Sequence, residues 1–226
     1  MAYDPGIPTY RTVTIQADGV ELSGELSLPP HPVGLVIFAH GSGSSRLSSR
    51  NIAVARMLNA SHIGTFLFDL LTAYEDRTFA NRFDIPLLTT RLNAAVTWAS
   101  SDRATRDLPI ALFGASTGAA AAIKSAEVLS DKITSVVSRG GRPDLAGLSL
   151  GSVQSPTLLL VGSRDTDVEE LNRNALDKMT CEREIIIVPG ATHLFEEPGT
   201  LDIVGLRAAD WFLKHFKVAE QPKRRH

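Results

Sequence analysis

The sequence predicts an α/β fold in which helices cover both faces of a parallel sheet. Short apolar runs rich in β-branched residues recur from Val33 onward, and longer segments with helical spacing separate them. This alternation is typical of parallel strands that are joined by helical crossovers. A β-hairpin is predicted before this series, because two runs of alternating polarity flank the turn-forming pair Asp18 and Gly19.

The predicted elements follow one another as strand, helix and strand along the chain. The strands are placed at 11–16, 21–28, 34–39, 64–68, 109–113, 133–137, 156–161 and 184–188. The helices are placed at 48–59, 85–100, 116–129, 168–179 and 201–216. Ligands of such sheets bind where the strands end, so the residues that follow each strand are the candidates for a site.

Composition favours one globular domain at 1–218, followed by a basic, flexible tail at 219–226. The chain has 226 residues, 43% of them hydrophobic, and a formal net charge of -2. This charge does not indicate a nucleic-acid-binding protein. Its only cysteine, Cys181, excludes an internal disulfide and a multi-cysteine metal site. No targeting signal and no membrane-spanning run is recognisable, so a cytoplasmic location without a membrane partner is predicted.

A G-x-S-x-G turn stands between a predicted strand and a strong helix former. Gly114 and Gly118 lie two places either side of Ser116, where a side chain would collide with the neighbouring backbone. Ser116 then stands at a helix N-terminus, which favours developing negative charge. The turn predicts a catalytic serine, and the alternative is a serine N-cap among small packing residues.

A serine nucleophile needs a histidine base that a carboxylate orients. His193 follows the last predicted strand in a loop, and the alternative for it is a cap on the following helix. Asp165 and Asp167 both follow the strand at 156–161. Asp165 is the favoured carboxylate, because Asp167 directly precedes a helix and is expected to cap it.

The small-residue loop after the strand at 34–39 is a candidate oxyanion hole. Its Ser42 amide and the amide of Thr117 are the expected donors, with Gly43 as the alternative to Ser42. A dinucleotide-binding unit is the rival interpretation of this loop. It fails because Arg46 stands where the third glycine would be needed, and Asp69 is therefore interpreted as a structural hydrogen-bond acceptor.

The order Ser116, Asp165, His193, together with the G-x-S-x-G turn at 114–118 (the nucleophile elbow), resembles that of the α/β-hydrolase superfamily, and within it the small dienelactone-hydrolase-like proteins without a large lid. The resemblance covers nearly the whole chain. It implies a three-layer α/β-hydrolase fold with a mostly parallel, eight-stranded sheet, and these three residues as the catalytic triad. Dienelactone hydrolases proper resemble this chain but carry cysteine where Ser116 stands, which favours a serine esterase.

Arg139 and Arg142 follow the strand at 133–137 at the same edge of the sheet. They are candidates for binding a substrate carboxylate or phosphate, because guanidinium groups pair with such anions through two hydrogen bonds. Surface arginines or structural ion pairs are the alternative. The predicted partner is a small-molecule ester, and the mechanism requires no cofactor and no metal. A non-catalytic binder, or a lyase or perhydrolase with the same residues, is the competing class.

Overall fold

Eight strands form one sheet in the computed structural model, which describes residues 4–219. The order across the sheet is β1-β2-β4-β3-β5-β6-β7-β8, and all neighbours from β4 to β8 pair in parallel. β1 and β2 are antiparallel to each other, and β2 is antiparallel to β4. The predicted fold class is therefore confirmed. The strands are β1 (Thr9–Ala17), β2 (Val20–Leu28), β3 (Leu35–Ala39), β4 (Gly64–Phe68), β5 (Ile110–Ala115), β6 (Ile133–Arg139), β7 (Thr157–Gly162) and β8 (Arg183–Val188).

The hairpin of β1 and β2 closes through the predicted two-residue turn. Asp18 and Gly19 have φ angles of 50° and 80°, the positive values that a tight hairpin turn requires at both positions. Val13, Ile15 and Ala17 of β1 are buried and alternate with exposed residues, as expected for an edge strand with one face on the core. The central strands β3, β4 and β5 are buried along their whole length because helices cover both of their faces.

Helices pack on both faces of the sheet and create two apolar layers. Residues of α2, α3 and α5 belong to one layer, and residues of α1 and α6 belong to the other. α2 begins where the sequence provides a cap, because Asp84 accepts a hydrogen bond from the Leu87 N–H at 3.0 Å. The helices are α1 (Ser49–Ala60), α2 (Ile85–Ala99), α3 (Thr117–Val128), α4 (Ser149–Ser152), α5 (Thr166–Lys178) and α6 (Thr200–Ala219).

All predicted strands and helices are present, with ends that differ by up to three residues. Sequence periodicity missed α4 and the 3-10 helices Glu75–Arg77, Phe79–Phe83 and Pro143–Ala146, which are too short to show a repeat. No lid domain interrupts the connections between the strands within 4–219.

Two further predictions concern the C-terminal tail and membrane-spanning helices. α6 extends to Ala219, and the remainder of the predicted tail, 220–226, lies outside the described residues. Across the described part of the chain, none of the helices combines the length and apolarity that crossing a bilayer demands.

Candidate active site

Ser116 lies at the sharp turn between β5 and α3. Its backbone has a φ of 50° and a ψ of -122°, a strained conformation for any residue other than glycine. Backbone hydrogen bonds enforce this turn, since the Ser116 N–H donates to the Arg139 carbonyl at 3.3 Å and the Ser116 carbonyl accepts from the Arg142 N–H at 3.0 Å. Ser116 lines a cavity of about 200 Å³ at the carboxyl edge of the sheet.

The glycines on either side of Ser116 allow very close backbone packing. A Cβ on Gly114 would lie 2.4 Å from the Cα of Ala119, and a Cβ on Gly118 would lie 2.2 Å from the carbonyl oxygen of Ala39. Both distances are far inside van der Waals contact. The glycine pattern therefore has the steric cause that the sequence predicts, and it sets the start of α3 directly against the end of β3.

His193 and Asp165 meet in the loops that follow β8 and β7. The His193 Nδ1 lies 2.6 Å from the Asp165 Oδ2, and Asp165 is the more buried of the two side chains. A carboxylate only accepts hydrogen bonds, so Nδ1 is the donor in this contact. His193 and Ser116 line the same cavity. The three residues are thus gathered at one edge of the sheet.

Close contact between the two loops brings the acid to the histidine. The Arg164 N–H donates to the Ala191 carbonyl at 2.9 Å, and the Gly190 N–H donates to the Ser163 Oγ at 2.8 Å. A Cβ on Gly162 would lie 2.4 Å from the Ala191 carbonyl oxygen, so only glycine permits this approach. The pairing of Asp165 with His193 therefore depends on backbone packing.

The expectation that Asp167 caps α5 is wrong. Asp165 itself occupies the N-cap position, although its side chain makes no capping hydrogen bond. Asp167 lies in the first turn of α5, where its negative charge interacts favourably with the positive end of the helix dipole and stabilises the helix. The carboxylate of Asp165 is free of a capping role because it is directed to His193.

Ser42 and Thr117 line a small recess beside the elbow. The recess holds about 10 Å³, which is room for roughly one water-sized group. Thr117 is the first residue of α3, and its N–H therefore has no acceptor within the helix. Gly41 packs against the elbow, since a Cβ there would lie 2.9 Å from the Ser116 Cβ. Gly43 lines the recess too and stays the alternative to Ser42.

His40 holds the loop after β3 in place. Its Nδ1 lies 3.0 Å from the Gly41 carbonyl, and its Nε2 accepts the Leu70 N–H at 3.0 Å. Burial lowers the pKa of His40, so this imidazole is neutral at pH 7. Asp69 accepts hydrogen bonds from the Arg46 N–H at 2.8 Å and from the Arg46 Nη1 at 2.5 Å, and it acts as a structural acceptor.

The two predicted substrate-binding arginines occupy different surroundings. Arg139 ends β6 and lines the cavity with Ser116 and His193. Arg142 does not line this cavity. Its guanidinium instead pairs with Asp144 through hydrogen bonds of 2.8 and 2.7 Å. Arg142 therefore has the structural ion pair that the sequence left open as an alternative.

Arg50 and Asn51 of α1 also line the cavity, and the sequence reasoning missed them. A signal for Asn51 was present in the helical pattern. Asn51, Val54, Ala55 and Leu58 are all buried and share one helix face, so Asn51 is a polar residue on an apolar stripe. A polar side chain in such a position is often there for a partner that the sequence does not reveal.

Known proteins resemble the chain in sequence and in structure. The sequence matches no established protein-family profile. Two Mycobacterium tuberculosis proteins, each named "Putative phosphoribosyl transferase", are 52% identical to the chain over 203 residues, which is 90% of the chain and 46% of each relative. The chain thus spans about half the length of these relatives.

Solved structures match the chain along almost its whole length. A dienelactone hydrolase from Anabaena variabilis superposes with a TM-score of 0.90 and 44% identity, covering 92% of this chain and 98% of that one. Est1E from Butyrivibrio proteoclasticus superposes with a TM-score of 0.77 and 17% identity, covering 91% and 99% of the two chains, and it supports the fold alone. The chain therefore belongs to the dienelactone hydrolase family of α/β hydrolases.

Proposed function

We propose that this protein is a serine hydrolase that cleaves small esters by acyl transfer. His193 Nε2 takes the proton of Ser116 Oγ while the oxygen attacks the acyl carbon, and Asp165 stabilises the resulting imidazolium. The amides of Thr117 and Ser42 stabilise the tetrahedral oxyanion. The ester bond then breaks, and His193 returns its proton to the leaving alcohol. Water next attacks the acyl-enzyme while His193 takes its proton, and His193 returns that proton to Ser116 Oγ as the bond to the acyl group breaks and the acid leaves.

One contact carries this proposal: the hydrogen bond of 2.6 Å between His193 Nδ1 and Asp165 Oδ2, at the edge of the cavity that Ser116 lines. A histidine oriented by a carboxylate beside a strained serine is the arrangement that activates a hydroxyl. The cavity volume of about 200 Å³ has room for a small acyl group. The proposed chemistry uses protein groups and water only.

The transferase activity in the name of the mycobacterial relatives is not carried over to this chain. The chain spans 46% of their length, and its cavity is lined by Ser116 and His193, to which the proposal gives the roles of nucleophile and base. The proposal places the protein in the reducing cytoplasm, where the buried Cys181 stays a thiol.

Fluorophosphonate labelling and hydrolysis of p-nitrophenyl acetate test the proposal. We expect the wild-type protein to be labelled and to hydrolyse the ester, and Ser116→Ala to lose the label and at least about 10⁴-fold in kcat/KM. Ser130→Ala is the matched control, since Ser130 is an exposed serine just beyond the other end of α3. Equal labelling of both variants, or a wild-type protein without label and without turnover, would contradict the assignment.

A further inference from the structure

Asn172 is a buried polar residue of α5 whose amide reaches the backbone beside the serine turn. The residue is fully buried within the fold. Its Nδ2 lies 2.9 Å from the Gly141 carbonyl oxygen and 2.7 Å from the Val168 carbonyl oxygen. Because both of these neighbours are acceptors, this atom is the donor end of the amide. Val168 belongs to the preceding turn of the same helix, so the bond to Gly141 is the one that leaves α5.

The other end of the same amide is an unpaired acceptor. Asn172 Oδ1 is buried and has no hydrogen-bond partner among residues 4–219. A buried acceptor without a partner destabilises the folded state, and asparagine is seldom fully buried. Leucine, which has a similar size, would fill the same space without this cost. The bond from Nδ2 to Gly141 is therefore the feature that accounts for an amide at this position.

This bond fixes the peptide group that holds the Ser116 carbonyl. The carbonyl of Gly141 and the N–H of Arg142 belong to one peptide group, which is planar and rigid. That N–H donates to the Ser116 carbonyl at 3.0 Å. Within 4–219 the Gly141 carbonyl accepts no hydrogen bond besides the one from Asn172. Asn172 therefore sets the orientation of the peptide group whose other end binds Ser116.

A second peptide group supports the N–H side of Ser116. The Ser116 N–H donates to the Arg139 carbonyl at 3.3 Å, and the Gly140 N–H of the same peptide group donates to the Leu160 carbonyl of β7 at 2.8 Å. Both peptide groups lie in the segment 139–142, which is called the support loop below. The backbone of Ser116 is thus held from β7 on one side and from α5 on the other.

The support loop also contacts the histidine. Gly140 has a φ of 49°, and a Cβ there would lie 3.0 Å from the His193 carbonyl oxygen and 3.5 Å from the His193 Nδ1. A shift of the loop therefore changes the position of Ser116 relative to His193. Asp165 caps the start of α5, and Asn172 lies about two turns further along the same helix. One helix thus positions the acid and anchors the serine turn.

We propose that Asn172 is a positioning residue for catalysis, which acts through the Gly141 carbonyl and the support loop to place Ser116 Oγ against His193. This inference rests on the proposed esterase function and adds a residue to its machinery. The strained backbone of Ser116 persists only while its surroundings hold it. Without the amide donor, the peptide group at 141–142 is free to rotate, and the serine turn relaxes away from the geometry that proton transfer needs.

Hydrolysis of p-nitrophenyl acetate by Asn172→Leu tests the proposal, with active sites counted from the end point of fluorophosphonate labelling. We expect kcat per labelled site to fall roughly 30-fold and KM to change by less than about threefold, because the reacting groups are displaced and the substrate contacts are not. The rate of labelling is expected to fall by a similar factor. Asn172→Gln keeps an amide donor, so its kcat is expected to exceed that of Asn172→Leu by at least about threefold.

Asn59→Leu is the matched control. Asn59 of α1 also donates from a helix to a backbone carbonyl, that of Ile63 at 2.9 Å, and it does not line the cavity of Ser116. Both leucine variants take a donor from a backbone carbonyl, so both are expected to lower the Tm by roughly 2–8 °C. Only Asn172→Leu is expected to lower kcat per labelled site.

Amide hydrogen exchange, followed by mass spectrometry, tests the support of the serine turn without turnover. In Asn172→Leu we expect exchange to be at least about tenfold faster in the peptides that contain the Ser116 and Arg142 N–H groups, because both groups lose their fixed acceptors. In Asn59→Leu the exchange of these peptides is expected to equal that of the wild type.

The outcomes separate the two proposals. Unchanged kcat per labelled site in Asn172→Leu, whatever the change in Tm, would overturn the positioning role and leave the esterase intact. An equal loss of kcat in Asn59→Leu would do the same. A wild-type protein without label and without turnover would overturn the esterase. Faster exchange in Asn172→Leu would then retain the support of the serine turn, and unchanged exchange would overturn that as well.

Discussion

Gly118→Ala is expected to destabilise the protein by roughly 3 kcal/mol, although the same change in an unobstructed helix is favourable by about 0.5–1 kcal/mol. The new Cβ would lie 2.2 Å from the Ala39 carbonyl oxygen and 2.6 Å from that of His40. β3 cannot yield, because β4 and β5 pair with it on both sides. The start of α3 must therefore move by roughly 1 Å to restore ordinary contact, and overpacking of this kind costs about 1–3 kcal/mol or more.

Urea denaturation of the wild type, Gly118→Ala and Gly151→Ala measures this effect. Gly151 is the matched control, because a Cβ there would have the Lys178 carbonyl oxygen at 3.7 Å as its nearest contact. A loss of 3 kcal/mol corresponds to a fall in Tm of roughly 6–12 °C for a domain of this size. The shift also displaces the elbow from the loop of Ser42, so kcat for p-nitrophenyl acetate is expected to fall roughly 10²-fold. Gly118→Ala with the stability and activity of Gly151→Ala would refute this steric account.

Two further predictions concern the acid of the site and the response to pH. Asp165→Asn is expected to lower kcat for p-nitrophenyl acetate by about 10⁴-fold, and Asp167→Asn by less than about twofold; equal losses would contradict the assignment of the carboxylate. Burial lowers the pKa of His40 and of His215, so below the ordinary value of about 6.5 the unfolded chain binds more protons than the folded one. The free energy of unfolding should therefore fall between pH 7.5 and 5.5, and His215→Phe, which keeps an aromatic ring against Trp211, should reduce that fall. An unchanged pH dependence in this variant, measured by urea denaturation, would argue against the role of His215.

The fold class was predictable because it depends on local patterns. Parallel strands that are buried on both faces appear in the sequence as continuous apolar runs, and β3, β5 and β7 are examples. Ser116 was a strong candidate for a related reason, since the strand, the turn and the helix around it are adjacent in sequence. The short helices at 75–83 gave no such pattern and were missed.

The histidine and the carboxylate were predicted from their order along the chain and their positions after strands. That reasoning narrowed the carboxylate to Asp165 or Asp167 but misplaced the helix cap. The choice depends on how the loops after β7 and β8 pack, down to the approach of Gly162 to Ala191. Backbone contacts between such loops have no signature in a single sequence.

The amino-acid sequence by itself determined the layered sheet, the strained serine turn and the residue types available for acyl transfer, because each follows from neighbours within a few positions. Only the tertiary structure decided which arginine is ion-paired and which lies underpaired in the cavity. Arg142 finds Asp144 two residues away, whereas Arg139 meets Arg50 and Asn51 from a distant helix. The surroundings of Arg139 therefore depend on contacts between residues far apart in sequence, and these contacts form only when α1 and β6 pack together.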